Sequence, residues 1–310
     1  MSCALWLKHL NFSPVLIESD TALGGQLLKI NRINRWILGI PGHTGPELAE
    51  LYGRHVIDEA IDVHLHTRPV SCLAEDSGFS MVLQGGDGHT TSLHARALVI
   101  ATGLRVNSSD ILHLIPGARP LFEAGLLSFF PLDHLEPMEA LEGKRVAVIG
   151  GGDNAHFTAK DLAPKAALTH LIIRSQPRPQ PVVREEVEAL IRQGRVQEHG
   201  GALVTGFHQG SGGITIALAG ADSKAERIEV DRIFVRTGFA PNTEFLDRLG
   251  PLAGLAKNGD GYVQVDTWKR TSAPFVYAVG DVINPDHPSV VTAIADGAVA
   301  AMAIAKDLGA

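Results

Sequence analysis

Cysteine is scarce in this chain of 310 residues, which contains only Cys3 and Cys72. Two cysteines cannot supply the several disulfides that stabilise small secreted proteins, and their scarcity fits a reducing cytoplasm. Runs of lysine or arginine are also absent, and the formal net charge is −7, which argues against a nucleic-acid-binding surface. The sequence therefore predicts a cytoplasmic protein that binds no nucleic acid.

The apolar residues form no long segment free of charge. Lys8 and His9 interrupt the apolar residues near the start, so the sequence predicts no signal peptide. Residues 290–308 are apolar, but Asp296 lies in the middle of this segment and most of its residues are small. Both features are typical of a helix packed inside a domain, so no membrane span is predicted.

At 310 residues the chain is long enough for two domains of ordinary size. Hydrophobic residues make up 45% and charged residues 20%, which is the composition of a globular protein. Three apolar strands end in tight turns at Gly103, Gly238 and Gly280. In parallel sheets, such strands deliver their turns to a ligand at the carboxyl edge. The polar stretch at 81–98 has the turn residues of a hairpin, which predicts additional antiparallel strands.

A complete dinucleotide-binding βαβ unit is predicted in the middle of the chain. The strand 146–149 leads into Gly150-Gly151-Gly152-Asp153-Asn154-Ala155, which opens a helix through about Leu162. This G-x-G-x-x-A fingerprint permits a tight turn at its first glycine and close approach of a pyrophosphate at Gly152. Ala155 allows the helix to pack closely on the strand, with phosphates at the helix N-terminus. The alternative is a glycine-rich turn that binds no ligand.

The next predicted strand, 169–173, ends without an acidic residue. A carboxylate at that position would select NAD by binding the ribose 2′-hydroxyl, whereas arginines accommodate a 2′-phosphate. Arg174 and Arg178 follow the strand, so NADPH is the preferred nicotinamide cofactor. The alternative, that both arginines are only solvated loop charges, is nearly as well supported by residue type.

The first eighteen residues resemble the second half of a similar unit. Residues 4–10 predict an amphipathic helix, and residues 14–17 predict a short apolar strand that ends at Glu18. In dinucleotide-binding folds a carboxylate at this position binds an adenosine ribose. The front half of the unit, a strand with a glycine-rich turn, is missing. We therefore expect the reading frame to continue upstream of Met1 into such a segment.

Further short motifs occur along the chain. GGQL occupies 24–27, a G-x-P-G turn and TGPEL lie within 39–48, IATG spans 100–103, TGFAPNT spans 237–243, and VGDV spans 279–282. Together with the fingerprint and the TA and DG pairs within 292–297, they resemble the low-molecular-weight thioredoxin reductases and the related ferredoxin–NADP reductases. The resemblance covers nearly the whole chain.

The resemblance implies an α/β fold with two Rossmann-like, three-layer (ββα/αβ) dinucleotide-binding domains, the second inserted into the first. Residues 1–106 and 242–310 would form an FAD-binding domain that lacks its first strand and glycine turn. Residues 107–241 would form the NAD(P)H-binding domain. We also expect a homodimer.

The resemblance also implies roles for individual residues. Glu18 would bind the FAD ribose, residues 24–27 would lie against the pyrophosphate and flavin, and Asp281 would bind the ribityl hydroxyls. A helix that starts near Val291 would point at the pyrimidine end of the flavin, which becomes anionic on reduction. Taken alone, Asp281 could be a helix N-cap and Glu18 a solvated charge. The residues predicted to bind FAD are Glu18, Gly24, Gly25, Gln26, Leu27, Thr102, Gly103, Gly280, Asp281, Val291 and Thr292. Those predicted to bind NADPH are Gly150, Gly152, Asp153, Asn154, Ala155, Arg174 and Arg178, and no catalytic residue or metal ligand is predicted.

Three departures from these families are visible. The reductases carry a redox-active CxxC before the second fingerprint, but residues 104–152 contain no cysteine. The family's HRRxxxR stretch is reduced to Arg174 with Arg178 nearby, which weakens the NADPH assignment. The arginine–glutamine pair expected before the last helix is replaced by residues 288–289. His287 could supply a substitute flavin contact or be an ordinary surface histidine.

The sequence thus predicts an FAD-dependent NAD(P)H oxidoreductase whose chemistry lies mainly in the cofactor. Without an internal dithiol, the electrons would pass to an external acceptor, either a small protein or a small molecule. One alternative is a flavoprotein that receives electrons from a protein partner without NADPH. The other is a non-catalytic flavoprotein that acts as a sensor or binding module.

Overall fold

A computed structural model describes residues 1–30, 32–129, 138–220 and 225–309. The α-helices are α1 (Ser2–His9), α2 (Gly45–Asp58), α3 (Ser109–Leu114), α4 (Ala118–Glu123), α5 (Asp153–Leu162), α6 (Pro181–Arg192) and α7 (Val290–Asp307). The strands are β1 (Val15–Ile17), β2 (Asp62–His64), β3 (Thr67–Glu75), β4 (Gly78–Gly85), β5 (Thr90–Ala95), β6 (Leu98–Ile100), β7 (Leu104–Val106), β8 (Leu127–Ser128), β9 (Arg145–Ile149), β10 (Leu168–Ile173), β11 (Val196–Gly200), β12 (Leu203–Gly210), β13 (Gly213–Ala219), β14 (Ala225–Val230), β15 (Arg232–Val235), β16 (Phe239–Pro241) and β17 (Val276–Ala278).

The chain divides into two compact units, and the second is inserted into the first. Unit 1 contains Met1–Arg105 and Ala240–Ala310, and unit 2 contains Val106–Phe239. These limits lie close to the predicted domain boundaries at 106–107 and 241–242. Which cofactor each unit binds stays a prediction.

Unit 2 is built around a five-stranded parallel sheet in the order β11-β10-β9-β15-β8. A three-stranded antiparallel sheet, β12-β13-β14, belongs to the same unit. The order of β9, β10 and β11 is that of a Rossmann half, in which the first strand is central and the next two lie to one side. The predicted strands 146–149 and 169–173 are thus confirmed as β9 and β10.

The two faces of the parallel sheet in unit 2 belong to different hydrophobic clusters. Ala147 and Ile172 belong to a cluster with Ile216 and Val230 of the antiparallel sheet. Val148 and Leu171 point to the other face, where they cluster with residues of α5 and α6. Successive side chains of a strand alternate between faces, so a strand buried on both sides is apolar throughout. Unit 2 therefore has the three layers that were predicted, ββα.

Unit 1 contains two separate pairs of parallel strands. β1 pairs with β2, and β17 pairs with β6. Among the residues that the structure describes, no strand joins the two pairs. The polar stretch at 81–98 supplies the later part of β4 and all of β5, which pair with each other in an antiparallel sheet, so the predicted hairpin is confirmed. β3 pairs with the other edge of β4.

The core of unit 1 is layered around β17. Tyr277 clusters with Cys3 and Leu7 of α1 and with residues of α7, whereas Val276 clusters with residues of β3 and β4. A Cβ atom at Gly297 of α7 would lie 2.7 Å from the backbone nitrogen of Cys3. The two helices approach closely because this position carries no side chain. No helix within the described part of the chain is long and apolar enough to span a membrane.

Candidate functional site

The glycine turn of unit 2 lies at the carboxyl end of β9. Gly150 has φ +148°, and a Cβ atom there would lie 2.2 Å from the carbonyl oxygen of Arg236. Its backbone nitrogen donates to the carbonyl oxygen of Ile172, at 2.9 Å. A Cβ atom at Gly152 would meet nothing within 4 Å. Close packing therefore leaves no room for a side chain at Gly150, whereas the space beside Gly152, in front of the helix, is open.

Helix α5 begins directly after this turn. Its first residues are Asp153, Asn154 and Ala155, of which Asn154 is exposed and Ala155 is fully buried. A Cβ atom at Gly150 would lie 3.1 Å from the Cβ of Ala155, so the alanine permits the close packing expected of the fingerprint. The backbone nitrogens of Ala155 and His156 donate to the carbonyl oxygen of Gly152, which leaves the N–H groups of Asp153 and Asn154 for an anion at this end of the helix.

Asp153 lies in the first turn of α5, but its carboxylate is bonded to the segment that precedes α6. Its Oδ1 accepts a hydrogen bond from the backbone nitrogen of Gln180 at 2.6 Å, and its Oδ2 accepts one from Gln180 Nε2 at 3.1 Å. Sequence reasoning identified Asp153 but missed Gln180. The Gln-Pro pair before α6 signals a helix start, but nothing local in the sequence indicates the partner.

Arg174 and Arg178 lie in the segment between β10 and α6. Both are exposed, and neither guanidinium has a hydrogen-bond or ion-pair partner among the described residues. The backbone nitrogen of Arg178 donates to the carbonyl oxygen of Gly151 at 2.7 Å. The structure therefore places Arg178 beside the glycine turn, and it leaves both cations available to an anionic ligand.

His156 is a buried residue of α5 that the sequence analysis did not identify. Its Nδ1 lies 3.0 Å from the carbonyl oxygen of Gly152, and its Nε2 lies 3.4 Å from Nη1 of Arg184. Since an arginine can only donate, Nε2 accepts and Nδ1 carries the proton. Burial is the main cause that lowers the pKa of His156, and the Arg184 charge lowers it further. The neutral ring therefore donates a hydrogen bond from Nδ1 to the carbonyl oxygen of Gly152 and holds this carbonyl in place.

Glu18 directly follows β1, as predicted. Its Oε1 accepts hydrogen bonds from the backbone nitrogen of Asp20 at 2.8 Å and from Ser19 Oγ at 3.3 Å. Its backbone nitrogen donates to the carbonyl oxygen of His64, which ends the neighbouring strand β2. The carboxylate thus lies at the carboxyl edge of a parallel strand pair, where dinucleotide-binding folds hold their ligand.

The GGQL turn packs tightly against α2. Gly24 has φ +136°, and a Cβ atom there would lie 2.6 Å from the Cβ of Ala49. Gly25 and Gln26 begin a 3₁₀ helix that continues through Leu27 to Lys29. Gln26 Nε2 donates to the carbonyl oxygen of Leu104 at 2.6 Å. The side chain of Gln26 therefore connects this turn to β7.

The residues of the IATG motif are bonded to Asn242. Thr102 Oγ1 donates to the carbonyl oxygen of Asn242 at 2.7 Å, and Asn242 Nδ2 donates to the carbonyl oxygen of Thr102 at 2.9 Å. The backbone nitrogen of Asn242 also donates to the carbonyl oxygen of Gly103, which has φ +61°. Thr102 and Gly103 thus form a fixed turn after β6.

Asp281 is the predicted site residue whose surroundings are most unusual. Its Oδ1 is buried and has no hydrogen-bond partner among the described residues. Burial is the main cause that raises the pKa of this carboxyl, and Asp296 raises it further, whereas a hydrogen bond from the Ser289 backbone lowers it. A buried polar atom without a partner is costly, so it points to a donor that a ligand would supply.

The turn that holds Asp281 is fixed by a partly buried ion pair. The backbone nitrogen of Gly280 donates to Asp296 Oδ2 at 3.2 Å, and Lys269 Nζ lies 2.7 Å from Asp296 Oδ1. Asp296 belongs to the DG pair that the sequence shows in the last helix. No local pattern in the sequence indicates Lys269, because it lies far from Asp296 along the chain.

Helix α7 begins one residue before the predicted start near Val291. Ser289 is its N-cap, and Ser289 Oγ accepts from the backbone nitrogen of Thr292 at 3.2 Å. Thr292 Oγ1 lies within hydrogen-bond distance of the carbonyl oxygens of His287 and Ser289. Ser289 thus caps the helix, and Val291 is exposed at the helix start. No hydrogen bond of the His287 ring is observed among the described residues.

Both cysteines are buried and unpaired. Cys3 lies in α1 and Cys72 in β3, and they belong to different hydrophobic clusters. Burial raises the pKa of the Cys3 thiol to about 11, and burial also raises the pKa of Cys72. Neither thiol is therefore activated for redox chemistry. Residues 130–137 of the cysteine-free stretch lie outside the described residues.

Comparison with known proteins gives consistent matches along the chain. A family model described as Pyridine nucleotide-disulphide oxidoreductase matches residues 1–297. The chain is 26% identical over 321 residues to a thioredoxin reductase of Buchnera aphidicola subsp. Acyrthosiphon pisum, covering 97% of this chain and 91% of that protein.

A second relative is longer than this chain. The chain is 27% identical over 281 residues to an NADH dehydrogenase of Bacillus subtilis, covering 90% of this chain and 51% of that protein. The chain thus spans about half the length of this relative.

A solved structure, T. acidophilum thioredoxin reductase, has a TM-score of 0.82 at 23% identity and covers 100% of this chain and 95% of its own. The likeness confirms the predicted α/β fold with two Rossmann-like domains.

Proposed function

Because the chain belongs to the pyridine nucleotide-disulphide oxidoreductase family, we propose that it is an FAD-dependent enzyme that oxidises NADPH. The electrons would pass to an acceptor outside the chain, either a small protein or a small molecule. The family membership supports an oxidoreductase that binds FAD and a nicotinamide nucleotide. The preference for NADPH, the external acceptor and a homodimeric assembly are our own proposals.

The observation that carries the proposal is the buried Asp281 carboxylate oxygen that has no partner among the described residues. A ribityl hydroxyl of FAD is a donor that could satisfy it, and its hydrogen bond would offset the cost of burying the charge. Glu18 would accept from the FAD ribose, and residues 24–27 would line the flavin. These residues therefore fit FAD.

The turn and helix N-terminus of unit 2 fit the nicotinamide nucleotide. Gly152 leaves open space where a pyrophosphate could approach the N–H groups of α5. Arg174 and Arg178 are exposed cations without partners in the described part of the chain, and they follow the strand that normally sets the choice between NAD and NADP. This arrangement favours a 2′-phosphate over a free ribose.

The chemistry that FAD supplies when bound is acceptance of a hydride from the reduced nicotinamide and release of electrons to an acceptor. The chain's own residues would bind and orient the two nucleotides. The N-terminus of α7 would stabilise negative charge on the flavin by its dipole, since Ser289 caps this end without adding charge.

An external acceptor is supported by the state of both cysteines. Cys3 and Cys72 lie in separate clusters, and burial raises the pKa of each thiol. A dithiol relay needs two thiols close together and at least one accessible thiolate. The residues therefore favour direct transfer from the flavin to an acceptor that binds at the surface.

The test is an anaerobic titration of the FAD-loaded protein with NADPH and, separately, with NADH, followed by flavin absorbance. We expect bleaching by both, with a modest preference for NADPH. Arg174→Ala should weaken the binding of NADPH several-fold and leave the binding of NADH nearly unchanged, because one exposed guanidinium–phosphate pair contributes about 1 kcal/mol. Arg192→Ala, an exposed arginine on α6, is the matched control and should change neither.

The proposal fails if neither nucleotide bleaches the flavin of a flavin-replete protein. The flavoprotein fed by a protein partner would then be the better interpretation. Equal weakening of NADPH and NADH by Arg174→Ala would show that this residue is not a 2′-phosphate ligand.

A further inference from the structure

The segment between β10 and α6 lies directly against the glycine turn. A Cβ atom at Gly151 would lie 3.8 Å from the carbonyl oxygen of Gln176 and 3.8 Å from the Cα of Pro177. The Arg178 backbone bonds to the carbonyl oxygen of Gly151, and Gly152 and Arg178 form an isolated parallel bridge. We name residues 174–180 the arginine segment, because they contain both arginines whose guanidinium groups lack a partner in the described part of the chain.

Each end of the arginine segment is anchored differently. Its start follows Ile173, which is 1% exposed in the core of unit 2. Its end is anchored by Gln180, whose backbone nitrogen and Nε2 donate to the two carboxylate oxygens of Asp153. We name this pair of hydrogen bonds the Asp153–Gln180 bridge. It joins the first turn of α5 to the N-cap of α6.

The interior of the arginine segment is stiff. Pro177 and Pro179 flank Arg178, and Pro181 follows Gln180, so three φ angles are restricted. A stiff segment held at both ends has few alternative conformations, so the arginines are confined before any ligand binds. Between these two anchors, the segment is also held by the hydrogen bond from the backbone nitrogen of Arg178 to the carbonyl oxygen of Gly151.

We propose that Asp153 and Gln180 are positioning residues for recognition of a 2′-phosphate, acting through the arginine segment. The inference rests on the proposed function, since it assumes that unit 2 binds an adenine nucleotide. A carboxylate in the first turn of α5 would repel a phosphate if it faced the ligand. Its two bonds to Gln180 give it a different role, which is to hold Arg174 and Arg178 beside the turn.

The proposal separates two parts of the nucleotide. The 5′-phosphate is bound by the glycine turn and the α5 N-terminus, which do not depend on the bridge. The 2′-phosphate is bound by the arginine segment, which does. Loss of the bridge should therefore weaken ligands with a 2′-phosphate and leave otherwise identical ligands without it unchanged.

The experiment measures binding of adenosine 2′,5′-bisphosphate and adenosine 5′-monophosphate to the full chain by isothermal titration calorimetry. We expect the wild-type protein to prefer the bisphosphate. Gln180→Ala and Asp153→Ala should reduce this preference about fivefold, the value of one hydrogen bond, with the larger effect in Asp153→Ala. Asp153→Asn should retain most of the preference, because its amide oxygen can still accept from the Gln180 backbone.

The matched control is Gln176→Ala, an exposed glutamine of the same segment whose side chain has no hydrogen bond among the described residues. It should change the affinity for neither probe. The proposed role of the Asp153–Gln180 bridge would be overturned if Asp153→Ala changed the affinity for both probes equally. It would also be overturned if the preference for the bisphosphate were unchanged in Asp153→Ala and in Gln180→Ala. Thermal melting identifies variants that fail to fold, and Gln180→Ala, which keeps the backbone bond, then decides. Wild-type protein that binds neither probe would overturn the nucleotide site in unit 2 itself.

Discussion

Lowering the pH from 7 to 5 should destabilise unit 2, because two buried histidines meet between its strands. His170 of β10 and His199 of β11 are 6% and 7% exposed. His170 Nδ1 lies 3.0 Å from His199 Nε2, and His199 Nδ1 lies 3.3 Å from Glu226 Oε1. Only one proton can lie between the two facing nitrogens, so the second has no room for a proton of its own.

The sign and size of this change in stability follow from the pKa of His170. Burial is the main cause that lowers this pKa from 6.5 to about 4, and His199 and Arg145 lower it while Glu226 opposes them. Between pH 6.5 and about 4, His170 is protonated in the unfolded chain and neutral in the folded chain. The folded state therefore loses stability as the pH falls through this range. Between pH 7 and pH 5 the loss amounts to about 2 kcal/mol of unfolding free energy.

The free energy of unfolding of the full chain is measured by urea denaturation at pH 7 and pH 5. Hydrogen exchange of the amides in β9, β10 and β11 provides the readout specific to unit 2. His170→Gln lowers stability at pH 7 but removes the proton-binding site, so its loss on acidification should be smaller by about 2 kcal/mol. His208→Gln, an exposed histidine of β12, should behave as the wild type does. An equal acid-induced loss in wild type and His170→Gln would refute the reasoning.

Three further outcomes are expected. Replacing Cys3 and Cys72 together by serine should leave NADPH-driven turnover per bound flavin unchanged, because neither buried thiol is activated; lost turnover with retained flavin contradicts this. Asp281→Asn should weaken FAD binding at least about tenfold, because the substitution removes a charged acceptor. It should also raise the melting temperature of the FAD-free protein, because burial raises the pKa of the Asp281 carboxyl and so makes its charge unfavourable. Tighter FAD binding by this variant would contradict the predicted role of Asp281. Lys269→Met should cost about 2 kcal/mol by leaving Asp296 without its charged partner, and Lys269→Met with Asp296→Asn should recover part of that loss in denaturation experiments.

The local pattern of the sequence determined the strand–turn–helix units. Four apolar residues followed by glycines predict β9 and its turn, and the helix predicted through Leu162 ends there as α5. The polar stretch at 81–98 likewise predicts paired antiparallel strands. These predictions succeed because hydrophobic period and the backbone freedom of glycine are properties of neighbouring residues. The order and number of the motifs also sufficed to predict the family and its two domains, the second inserted into the first.

The partners of the functional side chains were decided only by the tertiary structure. Asp153 is 27 residues from Gln180, and Lys269 is separated by a similar stretch from Asp296, so no local pattern joins them. The buried oxygen of Asp281, partnerless among the described residues, depends on what packs around it, which sequence period does not describe. His170 and His199 meet because β10 and β11 are adjacent in the sheet. Hydrogen-bond partners and desolvation arise from contacts distant along the chain, and these form only when the layers of each unit pack.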